Sequence, residues 1–572
     1  MHLPIGVSNF RDLIENKDPN QKGYLYVDKT CFIKEIIYDL KPVIILIRPR
    51  RFGKTLNLSM LHHFFAAEVD GQLTKRLFDG LNIAKDLICM EHQGKYPVVF
   101  ITFKDVKESN FTLCLENIRS IMASVYRHHR AVLGSANIPK DDLKYIEIIL
   151  EEQGGRIQLQ DSIKRLLELL TKHYKEKPLL LIDEYDTPIQ EAYLNGYYDE
   201  LIQFMRNLFS GGLKDNCFLK RAILTGILRV SKESLFSGLS NVEIYSVLDE
   251  NYSKYFGFTE QEVNNLLIKA NLPHSMSLTK EWYNGYNFGG TTIYNPWSII
   301  KFIKENGDVD THWINTSGNE LMRELLINAE LETQEKIGQL INGDTITEIV
   351  DEHIVFRDLK KNRAALWSLF LMSGYLKVLS STFTEFGNLC ELRIPNKEVE
   401  FLYKQIFREW LSGNRGIVWY QEFLSVLTVG NVKAFEIKLQ NIIEEMASYH
   451  DTSKTTQEMF YQGLMLGILA GLKDTHEVRS NRESGKGRYD LLIMPKNLQG
   501  LGIIIEIKAI RKNQSKLEME AKEALRQIKK SEYTTELKSR GIHNLCSIGI
   551  AFSGKVIKVA TDYVLPKNWE KK

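Results

Sequence analysis

The sequence predicts an α/β protein of several domains: a mostly parallel sheet covered by helices in residues 1–240, a mainly helical middle and linker region in 241–430, and a compact α/β domain in 431–572. Three observations carry this reading. Short apolar runs alternate with helical patterns over the first 240 residues. The first of these runs leads straight into Gly53-Lys54-Thr55 and another helical pattern. Near the C terminus, two further apolar runs bring Asp490, Glu506 and Lys508 to hairpin distance. At 572 residues, the chain also exceeds what one hydrophobic core accommodates.

Pro42 to Ile47 (PVIILI) is apolar on both faces, as a central parallel strand must be. Pro97 to Phe103, Pro178 to Ile182 and Phe218 to Leu224 are the other strand candidates, with helical patterns such as Ile163 to Leu170 and Leu201 to Phe209 between them. The middle is less regular. Val263 to Ala270 and Leu321 to Ile337 read as helices, Asn284 to Pro296 as turns and short extended pieces, and Leu366 to Leu379 as a packed helix. After 431, helices at Phe435 to Met446 and Gln457 to Leu469 precede strands at Arg488 to Met494 and Leu501 to Ile507. A charged helix from Lys516 to Lys530 and a strand at Cys546 to Phe552 complete the order.

The first strand runs into Arg48-Pro49-Arg50-Arg51-Phe52-Gly53-Lys54-Thr55. Strand, Gly-Lys-Thr and helix is the context of a phosphate-binding loop, although Arg48 stands where such loops carry their first glycine. Gly53 would let the backbone approach phosphate, Lys54 would neutralise it, and Thr55 would hold Mg2+ through its hydroxyl. Arg50 and Arg51 would add phosphate-neutralising charge, while Arg48 and Pro49 shape the turn. Leu179 to Ile182 ends in Asp183-Glu184: Asp183 would hold the magnesium through water and Glu184 would polarise an attacking water. Thr225, at the end of another strand, reads equally as a contact to that water or the γ-phosphate and as an N-cap. Arg229 reads equally as a phosphate or neighbouring-subunit contact and as a surface arginine.

In the late strand, alternation puts Glu506 and Lys508 on one face and Ile505 and Ile507 on the other. Asp490 and Glu506 from adjacent strands would share one or two Mg2+ ions, and Lys508 would act on the attacking water, the set that phosphodiester hydrolysis requires. An acid and a lysine in so apolar a strand are costly if buried without partners. Glu458, on the preceding helix, reads as a further metal carboxylate or as a solvent-facing residue. Gln527 reads as a contact to the catalytic centre or the phosphate backbone. The turn from Arg479 to Arg488 is basic and would track a phosphate through Arg482, Lys486 or Arg488, or is an ordinary exposed turn.

Whole-chain charge is only +2 and gives no argument for nucleic acid, but residues 501–572 carry 15 Lys or Arg against 8 Asp or Glu. The six cysteines are scattered, without zinc-knuckle or CxxC spacing, and read as thiols of a reducing compartment. The N terminus lacks an apolar signal core and no apolar run approaches a membrane span, so a soluble intracellular protein without a membrane partner is expected.

The chain resembles the large family in which a predicted AAA-ATPase-like domain precedes a PD-(D/E)XK nuclease-superfamily domain. The likeness is carried by Tyr26 to Thr30, Arg48 to Thr55, Leu181 to Asp186, Thr225-Gly226, Trp282 to Tyr286, Tyr294 to Pro296, Phe460 to Gly463, Ser480 to Asp490 and Glu506 to Lys508. It implies a P-loop NTPase parallel sheet and a restriction-endonuclease-like α/β domain. Lys54 and Thr55 then match the phosphate and magnesium residues, Asp183 and Glu184 the Walker B acids, and Asp490, Glu506 and Lys508 the nuclease core. ATP and Mg2+ are the implied cofactors, with Mn2+ as a substitute at the nuclease site. The leading expectation is an ATP-controlled nuclease acting on DNA. RNA is a narrower alternative, and a nucleotide-dependent switch or scaffold that self-associates and binds without cutting is the other.

Overall fold

A computed structural model of the chain describes residues 2–15, 23–134, 138, 140–228, 241–314, 319–327, 329, 331–352, 356, 359, 363–412, 416–446, 454–472, 475–480, 483–484, 487–510 and 514–564. It divides into two compact units, Met1–Gly318 with Thr347–Val399, and Asn319–Ile346 with Glu400–Lys572. Among the described residues no helix is long and apolar enough to cross a membrane.

The first unit is organised by five parallel strands: β1 (Val43–Ile47), β2 (Val98–Thr102), β3 (Leu179–Asp183), β4 (Arg221–Gly226) and β5 (Val242–Tyr245), in the spatial order β2–β3–β4–β1–β5. All residues of β1 and β3 are buried, because helices cover both faces and the two-sided apolar runs fill them. Register sets Ile47 beside Gly226 and Thr102 beside Asp183, so the strands end together. Arg48, Asp183, Thr225 and the start of helix α1 (Lys54–Phe65) therefore meet at one edge. That carboxyl edge is where open parallel sheets place ligands. Two further helices, Arg156–Tyr174 and Tyr198–Leu213, pack so closely that a Cβ on Gly212 would lie 2.7 Å from Ile163 Cγ2.

Three features depart from expectation in this unit. β4 begins at Arg221 rather than Phe218, because Asn216 Oδ1 accepts from Phe218 N (2.9 Å) and holds that stretch in a turn. The half-buried strand β5 had no apolar run to announce it. In the middle region, Tyr286–Phe288 and Thr291–Tyr294 form a hairpin, turning at Gly289 and Gly290 with φ of 50° and 85°. The stretch expected as one helix from Leu366 to Leu379 is helical only through Met372. Gly374, at φ 86°, ends it, and a strand from Lys377–Thr384 follows.

The second unit carries a mixed sheet: β6 (His476–Ser480), β7 (Leu491–Pro495), β8 (Gly502–Ala509), β9 (Leu545–Ser553) and β10 (Val556–Val564), in sequential order. Only β8 and β9 are parallel, and helix α3 (Leu517–Lys530) lies in the crossover that such a pair needs. Tyr489, Leu492, Ile504, Ile528, Leu537 and Leu545 form its core between sheet and helices. Gly549 permits the approach, since a Cβ there would lie 2.2 Å from the Ala521 carbonyl oxygen. A further helix, α2 (Lys454–Leu469), stacks Tyr461 on Phe552 of β9, ring centroids 3.9 Å apart. The region expected as one helix, Leu321 to Ile337, is two, Glu320–Ile327 and Leu331–Asn342.

Candidate functional sites

In the first unit, Gly53 caps α1 in the left-handed region (φ 85°), which glycine adopts without strain. Lys54 follows and is buried. Its ammonium donates to the carbonyls of Arg48 (3.1 Å) and Pro49 (2.9 Å). Burial lowers its pKa against the raising influence of Glu184, Asp186 and Asp183. Thr55 Oγ1 donates to Asp183 Oδ2 and Thr225 Oγ1 to Asp183 Oδ1, each at 2.7 Å. Asp183 is fully buried, and that burial pushes its carboxyl above the usual range. A hydroxyl and a carboxylate in contact at the start of a helix form a donor set suited to Mg2+ beside a phosphate.

Glu184 sits in the left-handed region (φ 51°), unusual for glutamate, with Thr187 Oγ1 3.2 Å from its Oε2. Arg50 Nη2 reaches Gln190 Oε1 (3.1 Å), and the Arg50 carbonyl accepts from Trp313 Nε1 (3.2 Å). Arg51 lies over the Trp297 ring at 4.5 Å. Arg229 lies outside the described residues.

Arg48 does more than shape the turn. It is fully buried between Phe256 and Phe288, and its guanidinium donates to the carbonyls of Ile47, Tyr245, Ser246 and Asn251. Burial lowers its pKa to about 10, so it remains charged at neutral pH. Where a flexible glycine is usual, this chain fastens the loop to the end of β5. A third acid also enters the site. Asp186 Oδ2 accepts from the amides of Ile227 (2.8 Å) and Leu228 (2.9 Å), fixing the chain after β4. Its signal was present as the fourth residue of Asp183-Glu184-Tyr185-Asp186, but the two preceding acids had already filled the expected roles. Trp297 and Trp313 had no local signal, because they come from the middle region. The stretch Tyr26 to Thr30 serves the frame: Asp28 accepts from Thr30 and Asn82, and Lys29 pairs with Glu262 at 2.6 Å.

In the second unit, Asp490 stands just before β7, while Glu506 and Lys508 share one face of β8. Asp490 Oδ2 accepts from Ile507 N (2.6 Å) and Oδ1 from Gln462 Nε2 (2.5 Å). Glu506 is 2% exposed, and its Oε2 has no hydrogen-bond partner. Lys508 Nζ lies 3.7 Å from Glu506 Oε1. Glu458, from α2, accepts from Ala509 N (3.2 Å) at the end of the same strand. Burial first, and the mutual repulsion of nearby carboxylates next, raise both acids: Asp490 against Glu458, and Glu506 against Asp490. A buried acid with one unsatisfied oxygen, beside a second, half-buried acid, is the chemistry that a divalent cation neutralises.

Gln527 is half-buried on α3, and none of the described hydrogen bonds joins it to these acids. Gln462, which the sequence reading passed over, does join them; its signal was the Phe460-Tyr461-Gln462-Gly463 stretch. Arg482 and Lys486 lie outside the described residues. The basic tail is less free than its count suggests, since Lys522, Arg526, Lys529 and Lys558 pair with Glu518, Glu523, Asp562 and Glu436.

Residues 4–236 match the family model of the predicted AAA-ATPases, and residues 456–562 match that of the PD-(D/E)XK nuclease superfamily. The chain thus joins an N-terminal AAA-ATPase-like domain to a C-terminal PD-(D/E)XK nuclease-superfamily domain. These assignments imply ATP binding in the first and a nuclease fold in the second. Along its length, the chain is similar to the "Uncharacterized protein in vnfD 5'region" of Azotobacter chroococcum mcd 1, 25% identical over 570 residues and covering 96% of each chain.

Proposed function

We propose that the protein is an ATP-controlled nuclease that cleaves DNA phosphodiesters with a divalent cation. The supporting observation is the buried Glu506 carboxylate, with one oxygen lacking a donor, beside Asp490 and with Lys508 3.7 Å away. Leaving such charge uncompensated is costly, and a cation removes the cost. Asp490 and Glu506 would hold the ion, with Glu458 as a third carboxylate. When bound, Mg2+ or Mn2+ supplies charge stabilisation at the transferring phosphate and a more acidic water. Gln462 and the Ile507 amide orient Asp490. Lys508, held near Glu506, presents an ammonium that orients the attacking water and balances charge. Gln527 would meet the phosphate backbone.

At the other site, Gly53, Lys54, Arg50 and Arg51 would receive the ATP phosphates, and Thr55 with Asp183 would hold its magnesium. Glu184 would act as the base and Thr225 as a contact to the attacking water, with Arg229 a further phosphate or neighbouring-subunit contact. The proposed division of labour is an ATPase domain over 1–240, a middle region over 241–430 that responds to nucleotide, and a nuclease domain over 431–572.

The test is incubation of the full chain with Mg2+ and linear, circular or single-stranded DNA, or RNA, with and without ATP. Metal-dependent DNA cleavage by wild type, absent from D490A and E506A, is expected. No cleavage under any condition, or equal cleavage by the two variants, overturns the reading. Cleavage of RNA alone would replace the substrate, and cleavage indifferent to ATP and to K54A would remove the control.

A further inference from the structure

We infer that Glu305, Asp310 and His312, in the first unit, form a second cation site, one for a first-row transition metal such as Zn2+. The three lie in one short reversal of chain. Glu305 ends the helix Pro296–Lys304, Asn306 and Gly307 turn the backbone with φ of 54° and 93°, and Asp310 and His312 return across it. One ligand atom from each comes within 4.8 Å of the others.

Proximity of two partly solvated acids would carry little alone. The histidine supplies the independent observation. Its side chain is 5% exposed, yet Nε2 makes no hydrogen bond and faces Glu305 Oε2 at 3.6 Å. Metal bonds of about 2.0–2.2 Å place tetrahedral ligands roughly 3.3–3.5 Å apart, so this pair already has nearly the spacing a shared ion requires.

The surroundings hold the ligands in place. Tyr283 stacks on the His312 ring at 5.8 Å, and its hydroxyl donates to the Asp310 carbonyl (3.0 Å). Thr311 N donates to Asp310 Oδ1 at 2.7 Å. Lys301 is the neighbouring cation, and two carboxylates outweigh its single charge. An imidazole with two carboxylates selects zinc and its neighbours over magnesium, which favours oxygen donors and retained waters.

The position gives the site a task. The His312 carbonyl accepts from Trp297 Nε1 (3.1 Å), and the Trp297 ring carries Arg51. Trp313, the next residue, donates to the Arg50 carbonyl. A metal on His312 would therefore clasp the segment that steadies both arginines of the Gly53-Lys54-Thr55 loop, whether or not that loop turns over ATP.

Cobalt(II) titration of the nucleotide-free full chain tests this, in a D490N/E506Q background that removes competition from the nuclease-domain acids. The background protein should bind one Co2+ with a d–d absorption band that Zn2+ displaces. H312Q should lose the band, and E305Q should weaken Co2+ at least about tenfold. The same Co2+ uptake and band in H312Q, or no Co2+ bound by the background protein, overturns the assignment. If H312Q does not fold, the partly exposed Glu305 decides, and unchanged affinity in E305Q is equally fatal.

Discussion

Replacing Glu506 by Gln should reverse the order of stability between metal-free and metal-loaded protein. Without metal, the wild-type chain buries a carboxylate whose Oε2 finds no donor and whose charge meets that of Asp490. Glutamine keeps the shape and removes the charge. Glutamine leaves a polar atom unpaired there too, so what it removes is the buried charge, which costs more unpaired than the about 1–3 kcal/mol of a neutral group; E506Q should therefore melt higher in chelator, by about 2–4 °C per kcal/mol for a domain of roughly 200 residues. With Mn2+ at a hundred times its dissociation constant, wild type gains about 2.7 kcal/mol that E506Q cannot match. The sign with pH follows from the same acids. Both carboxyls are raised above their ordinary values, so the folded protein binds more protons than the unfolded chain. Metal-free wild type is therefore least penalised at or below the ordinary carboxylate range and loses stability as pH climbs through the raised values. The advantage of E506Q should vanish in acid and grow toward alkaline pH. Calorimetric melting of the full chain in chelator and in Mn2+, across that range, is the assay. The same rank order with and without metal, or an E506Q advantage that shrinks as pH rises, would refute the reasoning.

Other expectations concern single side chains. K54A should weaken ATP binding by about 1.5–3 kcal/mol, a charged hydrogen bond's worth, while E184Q binds ATP normally and hydrolyses it slowly; calorimetry and phosphate release read the two. R48M should destabilise the first unit by about 3 kcal/mol or more, because four carbonyls lose their common donor, and urea melts followed by circular dichroism would show it. K508A should keep Mn2+ affinity in a calorimetric titration yet lose turnover in a cleavage assay, since an ammonium is not a ligand.

The legible parts of the fold were those buried on both faces. β1 and β3 are continuous apolar runs with nothing else to be, and the residues ending them were legible as well. Three of the four edge strands of the two five-stranded sheets were not. β5 (VEIY), β6 (HEVRS) and β10 (VIKVATDYV) mix charge with apolar residues because one side meets solvent, and such runs carry no distinctive period. At the candidate sites, carboxylates and lysines announced themselves because their types are unusual in apolar strands. Their supports did not. Gln462 is an ordinary helical residue until α2 lies beside Asp490, and Trp313 is some 260 positions from the carbonyl it meets. Such contacts are properties of tertiary structure, and a linear reading has no period or motif with which to detect them.

Gly226 shows how one such contact binds two positions into a single unit. Its backbone needs no special torsion. A Cβ there would lie 2.7 Å from both Asp186 Oδ1 and Tyr185 Cε1. The glycine is a socket, and the carboxylate that plugs it clamps the amides of Ile227 and Leu228. Alanine at 226 would evict the plug, and a shorter residue at 186 would leave the socket hollow and two amides bare. In any chain built on this frame, the small residue that ends β4 and the acid after β3 should be exchanged together or not at all. Screening paired libraries at 186 and 226 should therefore recover folded proteins that neither single library contains.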